Sequence, residues 1–238
     1  IQNLRHYPNL FEDGESVVVT EKIHGANCRV GVVFHPLDLD DEATEKIDHA
    51  VGENMAGSHR VRRRDPGENT DDPLVYHRSD TYWFPWSIPA VSYMLDELGK
   101  HHQAVVLYGE VFGPGIQTLD YGQNGLAFRA FDLKINGQFL SWPVFSAICH
   151  DYGVDVVPWL GTIVWGPDAL QKAAALANGP AFSGDHMREG VVLKPTVERS
   201  HPKIGRVVLK YCSDEYLLSK HHEQELADDD LSEEAPDE

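Results

Sequence analysis

Sulfur is scarce in this chain and long apolar runs are missing. Its three cysteines, Cys28, Cys149 and Cys212, are odd in number and lack CxxC spacing, so neither a disulfide framework nor a zinc site is indicated and structural thiols are expected. No stretch of about 18 apolar residues occurs, which leaves no membrane-spanning helix to expect. The start, Ile1-Gln2-Asn3-Leu4-Arg5, lacks the basic-then-apolar order of a secretory signal, and a cytoplasmic location without membrane contact follows as the expectation. Cations are also few: 20 Lys and Arg stand against 38 Asp and Glu, a formal charge of -18. Spread evenly, that charge would repel a phosphate-bearing partner. It is not even, because nine of the acids, Glu223, Glu225, Asp228, Asp229, Asp230, Glu233, Glu234, Asp237 and Glu238, follow His221 with no Lys or Arg among them. That tail reads as disordered and solvating. A second acidic stretch, Asp38 to Asp48, reads as an exposed loop. Against both stands the cluster Arg60, Arg62, Arg63 and Arg64, which composition leaves open between a solvated loop and a phosphate-binding patch.

What is present is ordinary for a globular protein. A 42% hydrophobic content and five Trp over 238 residues can bury a core, as one large domain or two small ones. Val17 to Lys22 and Asn27 to Phe34 read as β runs broken at Gly25. Gln103 to Phe112 is a third strand, and Phe128 to Ile135 leads through Asn136-Gly137, a strong hairpin signal, into Gln138 to Leu140. Gly190 to Lys194 and Arg206 to Tyr211, rich in adjacent Val and Leu, predict strands buried on both faces. Helices are predicted over Ile88 to Leu98, Pro143 to Tyr152 and Pro167 to Asn178, the last with Pro near its start and Gly179 at its end. The pattern implies an α+β domain of mainly antiparallel sheets with flanking helices. Tyr82 to Trp86 is an aromatic run beside proline, suited to packing more than to base stacking. Thirteen histidines, His101-His102 and His221-His222 among them, show no ligand-like spacing and read as surface.

Lys22-Ile23-His24-Gly25 is a KxxG, which alone means a surface lysine before a turn. It gains weight from the ordered series behind it: Gly109-Glu110-Val111-Phe112-Gly113-Pro114-Gly115-Ile116-Gln117, Phe131-Asp132, Arg188-Glu189-Gly190-Val191-Val192-Leu193-Lys194-Pro195 and Val207-Val208-Leu209-Lys210. A lysine nucleophile must lose its proton, and cations such as Lys194 and Lys210 disfavour the protonated form while stabilising charge on an α-phosphate. Gly25, without a Cβ, allows a turn and the close approach of a nucleotide. Glu189 offers an oxygen ligand to magnesium, or simply pairs with Arg188. Glu110, among apolar residues and glycines, needs a partner. Phe131 by spacing alone reads as core.

Together these stretches, over roughly residues 4 to 220, resemble the motif series of covalent nucleotidyltransferases: DNA ligases, RNA ligases and mRNA capping enzymes. Glu21 to Asn27 and the Gly-Glu-Val-Phe-Gly-Pro-Gly-Ile-Gln stretch are similar to the RNA ligase branch, both the phage-type second RNA ligase and the Deinococcus-type bacterial RNA ligases. The resemblance implies an ATP-grasp-like nucleotidyltransferase domain over 1–220, a separate tail over 221–238, and an ATP-dependent RNA ligase that carries AMP on Lys22. It implies Lys22, Glu189, Lys194 and Lys210 as catalytic residues. Glu21, Ile23, Gly25, Asn27, Arg60, Glu110 and Phe131 join Lys194 and Lys210 at the nucleotide, with Glu110 on the ribose hydroxyl and Phe131 on adenine. Mg2+, or Mn2+ in its place, is expected at Glu189 and Glu110. RNA or a nicked RNA-containing duplex is the expected partner of a monomer. Deinococcus-type enzymes place an OB-like module before the catalytic domain, and this chain, starting without Met just ahead of the lysine motif, reads as a catalytic fragment.

Two features depart from the pattern. Cys212 stands where phage-type enzymes carry a second lysine, leaving Lys203 or Arg206 to compensate. Glu189 and Lys194, an odd number of residues apart, fall on opposite faces of a regular strand unless Glu189 precedes it or a bulge intervenes. Among rivals, a GTP-using capping guanylyltransferase or another polynucleotide ligase is disfavoured by His24 and the Gly-Pro-Gly-Ile-Gln stretch. The intact Lys22, Glu189, Lys194 and Lys210 disfavour an inactive nick-binding module.

Overall fold

A computed structural model describes residues 1–34, 52–58, 61–63, 65 and 79–218. Arg60, Arg64, the acidic stretch from Asp38 to Asp48 and the tail beyond residue 218 lie outside the described residues. In chain order the strands are β1 (Gln2–Asn3), β2 (Ser16–Glu21), β3 (Ala26–Phe34), β4 (Gly52–Gly57), β5 (Arg62–Arg63), β6 (Ala104–Phe112), β7 (Ala127–Ile135), β8 (Gln138–Phe139), β9 (Trp159–Val164), β10 (Gly190–Pro195), β11 (Ser200–His201), β12 (Gly205–Arg206) and β13 (Leu209–Cys212). The helices are α1 (Ser79–Trp83), α2 (Pro89–Gly99), α3 (Trp142–Tyr152) and α4 (Ala169–Ala177). They form two compact units, one of the described residues within 1–23 and 158–218, the other of those within 24–157.

The first unit is built on a five-stranded sheet in the order β1-β13-β10-β2-β9, in which only the β1–β13 pair is parallel. Side chains alternate across a strand. Val17, Val19, Val191, Leu193, Leu209 and Tyr211 thus fall on one face, where they pack with Leu4, Phe11, Trp165 and α4. The helix presents Ala169, Ala173 and Ala177, all fully buried and four residues apart, so small side chains let it approach the sheet closely. The expected strand from Arg206 to Tyr211 is two strands with different partners. Arg206 pairs with Ser200 in the β11–β12 hairpin, Val207 and Val208 cross over, and Leu209 then pairs with Leu193. β13 also differs from a doubly buried strand, since Leu209 and Tyr211 are buried and Lys210 and Cys212 only half-buried. Strand β9, absent from the sequence reading, is an exposed edge in which Trp159 and Val164 face solvent.

The second unit is an antiparallel meander in the order β5-β4-β3-β6-β7-β8. Cys28, Val30, Val32, Val105, Leu107, Val111, Ala130 and Leu133 are buried in it. Helix α2 packs on β3 and β6 through Val91, Met94 and Leu95, and α3 packs on β7. Asn136 and Gly137 close the β7–β8 hairpin with φ of 48° and 85°, the two-residue turn their sequence predicts. The aromatic run packs: the Trp83 and Trp86 indoles donate to the carbonyls of Arg63 and Met55. Of the arginine cluster, Arg62 pairs with Glu53 and Arg63 lies 5.2 Å above the Tyr82 ring. Cys28 and Cys149 are buried thiols pushed up to about 12, Cys28 by burial and then by the charge of Glu110, Cys149 by burial. They behave as core residues.

Candidate active site

In the first unit the lysines gather on the sheet face opposite the core. Val192 pairs with both Thr20 and Lys210, and Lys194 pairs with Val18. Directly paired residues point the same way, so Thr20, Lys194 and Lys210 share that face. Lys22 continues β2 by one step, its N–H donating to the Gly190 carbonyl at 2.9 Å. Its Nζ donates to Glu189 Oε2 at 2.7 Å, with the two side chains 20% and 11% exposed. The direct partner of Lys22 is therefore a carboxylate, not another cation. Arg188 does not take Glu189, because it donates to the carbonyls of Pro180 and Leu176.

The Glu189–Lys194 spacing resolves at Gly190. Glu189 precedes β10, and Gly190 opens that strand with φ of 153°, which releases Glu189 from the alternation and turns it to Lys22. A Cβ on Gly190 would stand 2.1 Å from the Tyr211 carbonyl oxygen and 2.7 Å from Cys212 Cα, so glycine is required on both counts. Glu21 departs from the nucleotide-binding expectation in one respect. Its side chain is buried on the core side, where Oε1 accepts the N–H of Phe182 at 3.1 Å. Ile23 is likewise buried. Arg206 does not replace the missing second lysine, since Glu198 holds its guanidinium at 2.5 and 2.7 Å.

In the second unit Asn27, Glu110 and Arg129 form a polar row across β3, β6 and β7, paired Asn27 to Glu110 and Glu110 to Arg129. Beside it β7 carries a bulge. Ala130 opposes Gly109 and Asp132 opposes Tyr108, so Phe131 is the inserted residue, a device that re-aims side chains. Phe131 is half-buried, which separates it from the closed core, whereas Asp132 is buried. Gly25 has a reason other than the one its motif suggests. A Cβ there would meet the Val111 carbonyl oxygen at 2.4 Å and Glu110 Cγ at 2.8 Å, so the close approach is that of β6. Next to it, the His24 N–H donates to the hydroxyl of Tyr121 at 2.6 Å, and the His24 ring lies 3.3 Å from Thr118 Oγ1. Sequence reasoning missed Arg129, Tyr121 and Thr118. The alternation Phe128-Arg129-Ala130 signals the first, while nothing local signals the other two.

Two α+β units dominated by antiparallel sheet, one with a lysine-lined face, define a nucleotidyltransferase-type fold, and solved structures share it. The Naegleria gruberi RNA ligase with PPi is similar at a TM-score of 0.67 and 20% identity, covering 93% of this chain and 57% of that one. A mutant of that enzyme with ATP and Mn gives 0.63 and 19%, over 87% and 52%. Another with AMP and Mn gives 0.62 and 20%, over 87% and 52%. The chain thus spans about half the length of these ligase chains. Comparison with curated protein sequences gave no match. The sequence profile of the RNA ligase family matches residues 15–212, and the chain belongs to that family.

Proposed function

We propose that this chain is the adenylyltransferase part of an ATP-dependent RNA ligase, with Lys22 as the nucleophile. The observation that carries the reading is the Lys22–Glu189 pair at 2.7 Å on the sheet face that also bears Lys194 and Lys210. Lys22 Nζ attacks the α-phosphorus of ATP; a P–N bond forms, the bond to the β-phosphate oxygen breaks and PPi leaves. Glu189 Oε2 is the acceptor in reach of the Nζ proton. Lys194 and Lys210 stabilise charge on the phosphate, which is worth most in a site shielded from water. An RNA 5′-phosphate then displaces Lys22 from AMP, and a 3′-hydroxyl attacks that phosphate, releasing AMP and sealing the strand. Glu110 on the ribose, Phe131 on adenine, and Asn27 and Arg60 toward the nucleotide or the RNA end complete the assignment. The ATP, AMP, PPi and Mn of the Naegleria gruberi structures support the choice of nucleotide and metal.

A divalent metal fits the donors on one condition. Among the described residues no three His, Cys, Asp or Glu side chains form a metal cluster. Mg2+ keeps most of its waters and takes one or two carboxylates with phosphate oxygens, and Glu189, beside Lys22, suits that role. When bound, the metal neutralises phosphate charge. Among the described residues no helix is long and apolar enough to cross a membrane. The proposal extends to a cytoplasmic monomer acting on nicked or broken RNA, with an OB-like module upstream and residues 221–238 as a separate tail. Incubation with α-labelled ATP or GTP and Mg2+, followed by denaturation, tests the reading. Label retained from ATP, absent in Lys22→Ala, is expected; retention from GTP alone points to a capping enzyme and overturns it.

A further inference from the structure

We infer that Tyr121, helped by Thr118, is a positioning residue for the KxxG turn that carries the nucleophile. The inference rests on the adenylylation reading above. The turn from Lys22 to Gly25 lies outside any strand, so its N–H groups need partners other than a sheet ladder. The Lys22 N–H has the Gly190 carbonyl. The His24 N–H donates to the Tyr121 hydroxyl at 2.6 Å, a side chain 97 residues away in sequence.

Tyr121 is built for a fixed position. It is fully buried, its ring meets Phe112 at 5.2 Å in an edge arrangement, and its φ is 57°. A non-glycine residue holds that left-handed backbone only where the surroundings over-determine it. Thr118, three residues earlier, places Oγ1 3.3 Å from the His24 ring nitrogen Nε2. The loop after β6 therefore grips His24 by its main chain and by its ring. Its anchor is firm, because Phe112 ends β6, the strand that also bears Glu110.

The consequence concerns rate, not nucleotide affinity. Lys22 stands two residues before His24 in the chain, so release of the His24 N–H loosens the backbone that aims Nζ. A nucleophile about 1 Å out of line costs on the order of 100-fold in rate, while groups that bind adenine and ribose are untouched. Tyr121→Phe keeps the ring and its packing and deletes only the acceptor. The expected result is a fall of tenfold or more in the single-turnover rate of lysyl-AMP formation at saturating ATP, roughly the loss for one buried hydrogen-bond partner. The KM for ATP should stay within about twofold of wild type. Faster hydrogen exchange at the His24 amide, with an unchanged melting temperature, should accompany it. Thr118→Val should give a smaller loss of the same kind. If wild type forms no lysyl-AMP, the functional reading fails first. If wild type forms it and Tyr121→Phe matches its rate, or raises KM without lowering the rate, the positioning role is overturned.

Discussion

Replacing Gly190 by alanine tests the geometry that brings Glu189 to Lys22. The new Cβ would stand 2.1 Å from the Tyr211 oxygen and 2.7 Å from Cys212 Cα. Both are main-chain atoms of β13, which cannot swing aside as a side chain can. Either β10 and β13 part at the Gly190–Cys212 pair, putting at risk the Ser213 N–H bond to the Glu189 carbonyl at 2.9 Å, or the backbone abandons its φ of 153°. Overpacking of this kind costs about 1–3 kcal/mol, and a side chain forced into a glycine-only conformation adds about 1–3 kcal/mol. A combined loss of about 3 kcal/mol corresponds to a melting temperature lower by roughly 6–12 °C for a protein of this size. Gly115→Ala is the control. That glycine has φ of 79° but nothing within 4 Å of a built Cβ, so only strain of about 1–2 kcal/mol, roughly 2–8 °C, applies. Calorimetry of both variants, with lysyl-AMP labelling of each at 20 °C below its own melting temperature, separates stability from alignment. Gly190→Ala should label poorly even while folded. Should it melt no lower than Gly115→Ala and label like wild type, the account of Glu189 is wrong.

Phe131→Leu, which keeps the bulk and removes the ring, should raise the KM for ATP about 2–10-fold over wild type with little change in melting temperature, the value of an aromatic face beyond bulk; a wild-type KM, or a loss of activity that only tracks a lower melting temperature, would assign Phe131 to the core instead. The Glu15–Arg199 pair, at 2.6 and 2.7 Å, gives a pH dependence. Burial raises the Glu15 carboxyl, but hydrogen bonds from Arg199 and the Glu12 N–H bring it net below its ordinary 4.5. Its folded value being depressed, the pair's stability is full above about pH 4.5 and disappears as pH falls through the lower folded value. The melting-temperature gap between wild type and Arg199→Gln should be constant near neutrality and close in acid, and a gap that widens in acid would contradict the sign. Cys212→Lys should be tolerated and sustain or raise adenylylation, since Cys212 shares a face with Lys210 about 7 Å along β13. Lys210→Ala should cost on the order of 100-fold, and a fully active Lys210→Ala would remove the phosphate-facing role.

Local signals were enough for much of the fold. Runs rich in β-forming residues located β2, β3, β6 and β7, Asn136-Gly137 located a hairpin, and proline near its start helped to locate α4. What failed depended on partners distant in sequence. β9 has no inward alternation to read, because it is an edge strand that leaves Trp159 and Val164 in solvent. Arg206 to Tyr211 has one apolar pattern but two hydrogen-bonding partners, and pattern cannot show where a chain changes sheets. Lys22 and Glu189 were both visible as motif residues. Their contact spans 167 positions and exists only through the register of β2 on β10.

Gly25 shows the same limit within a motif. Read locally, it is a glycine for a turn, yet the atoms a Cβ would strike are the Val111 carbonyl and Glu110 Cγ. One position earlier, His24 is held by Thr118 and Tyr121. The KxxG stretch and the Gly109–Gln117 stretch with its following loop are therefore not two independent signatures that happen to occur in one chain. Each supplies the surface that the other requires: β6 needs a residue without a side chain at 25, and the turn needs the hydroxyl at 121 for its amide. A substitution at Gly25 should consequently disturb Glu110 before it disturbs the turn. Grafting either stretch alone into a scaffold should fail to reproduce the geometry that the pair maintains.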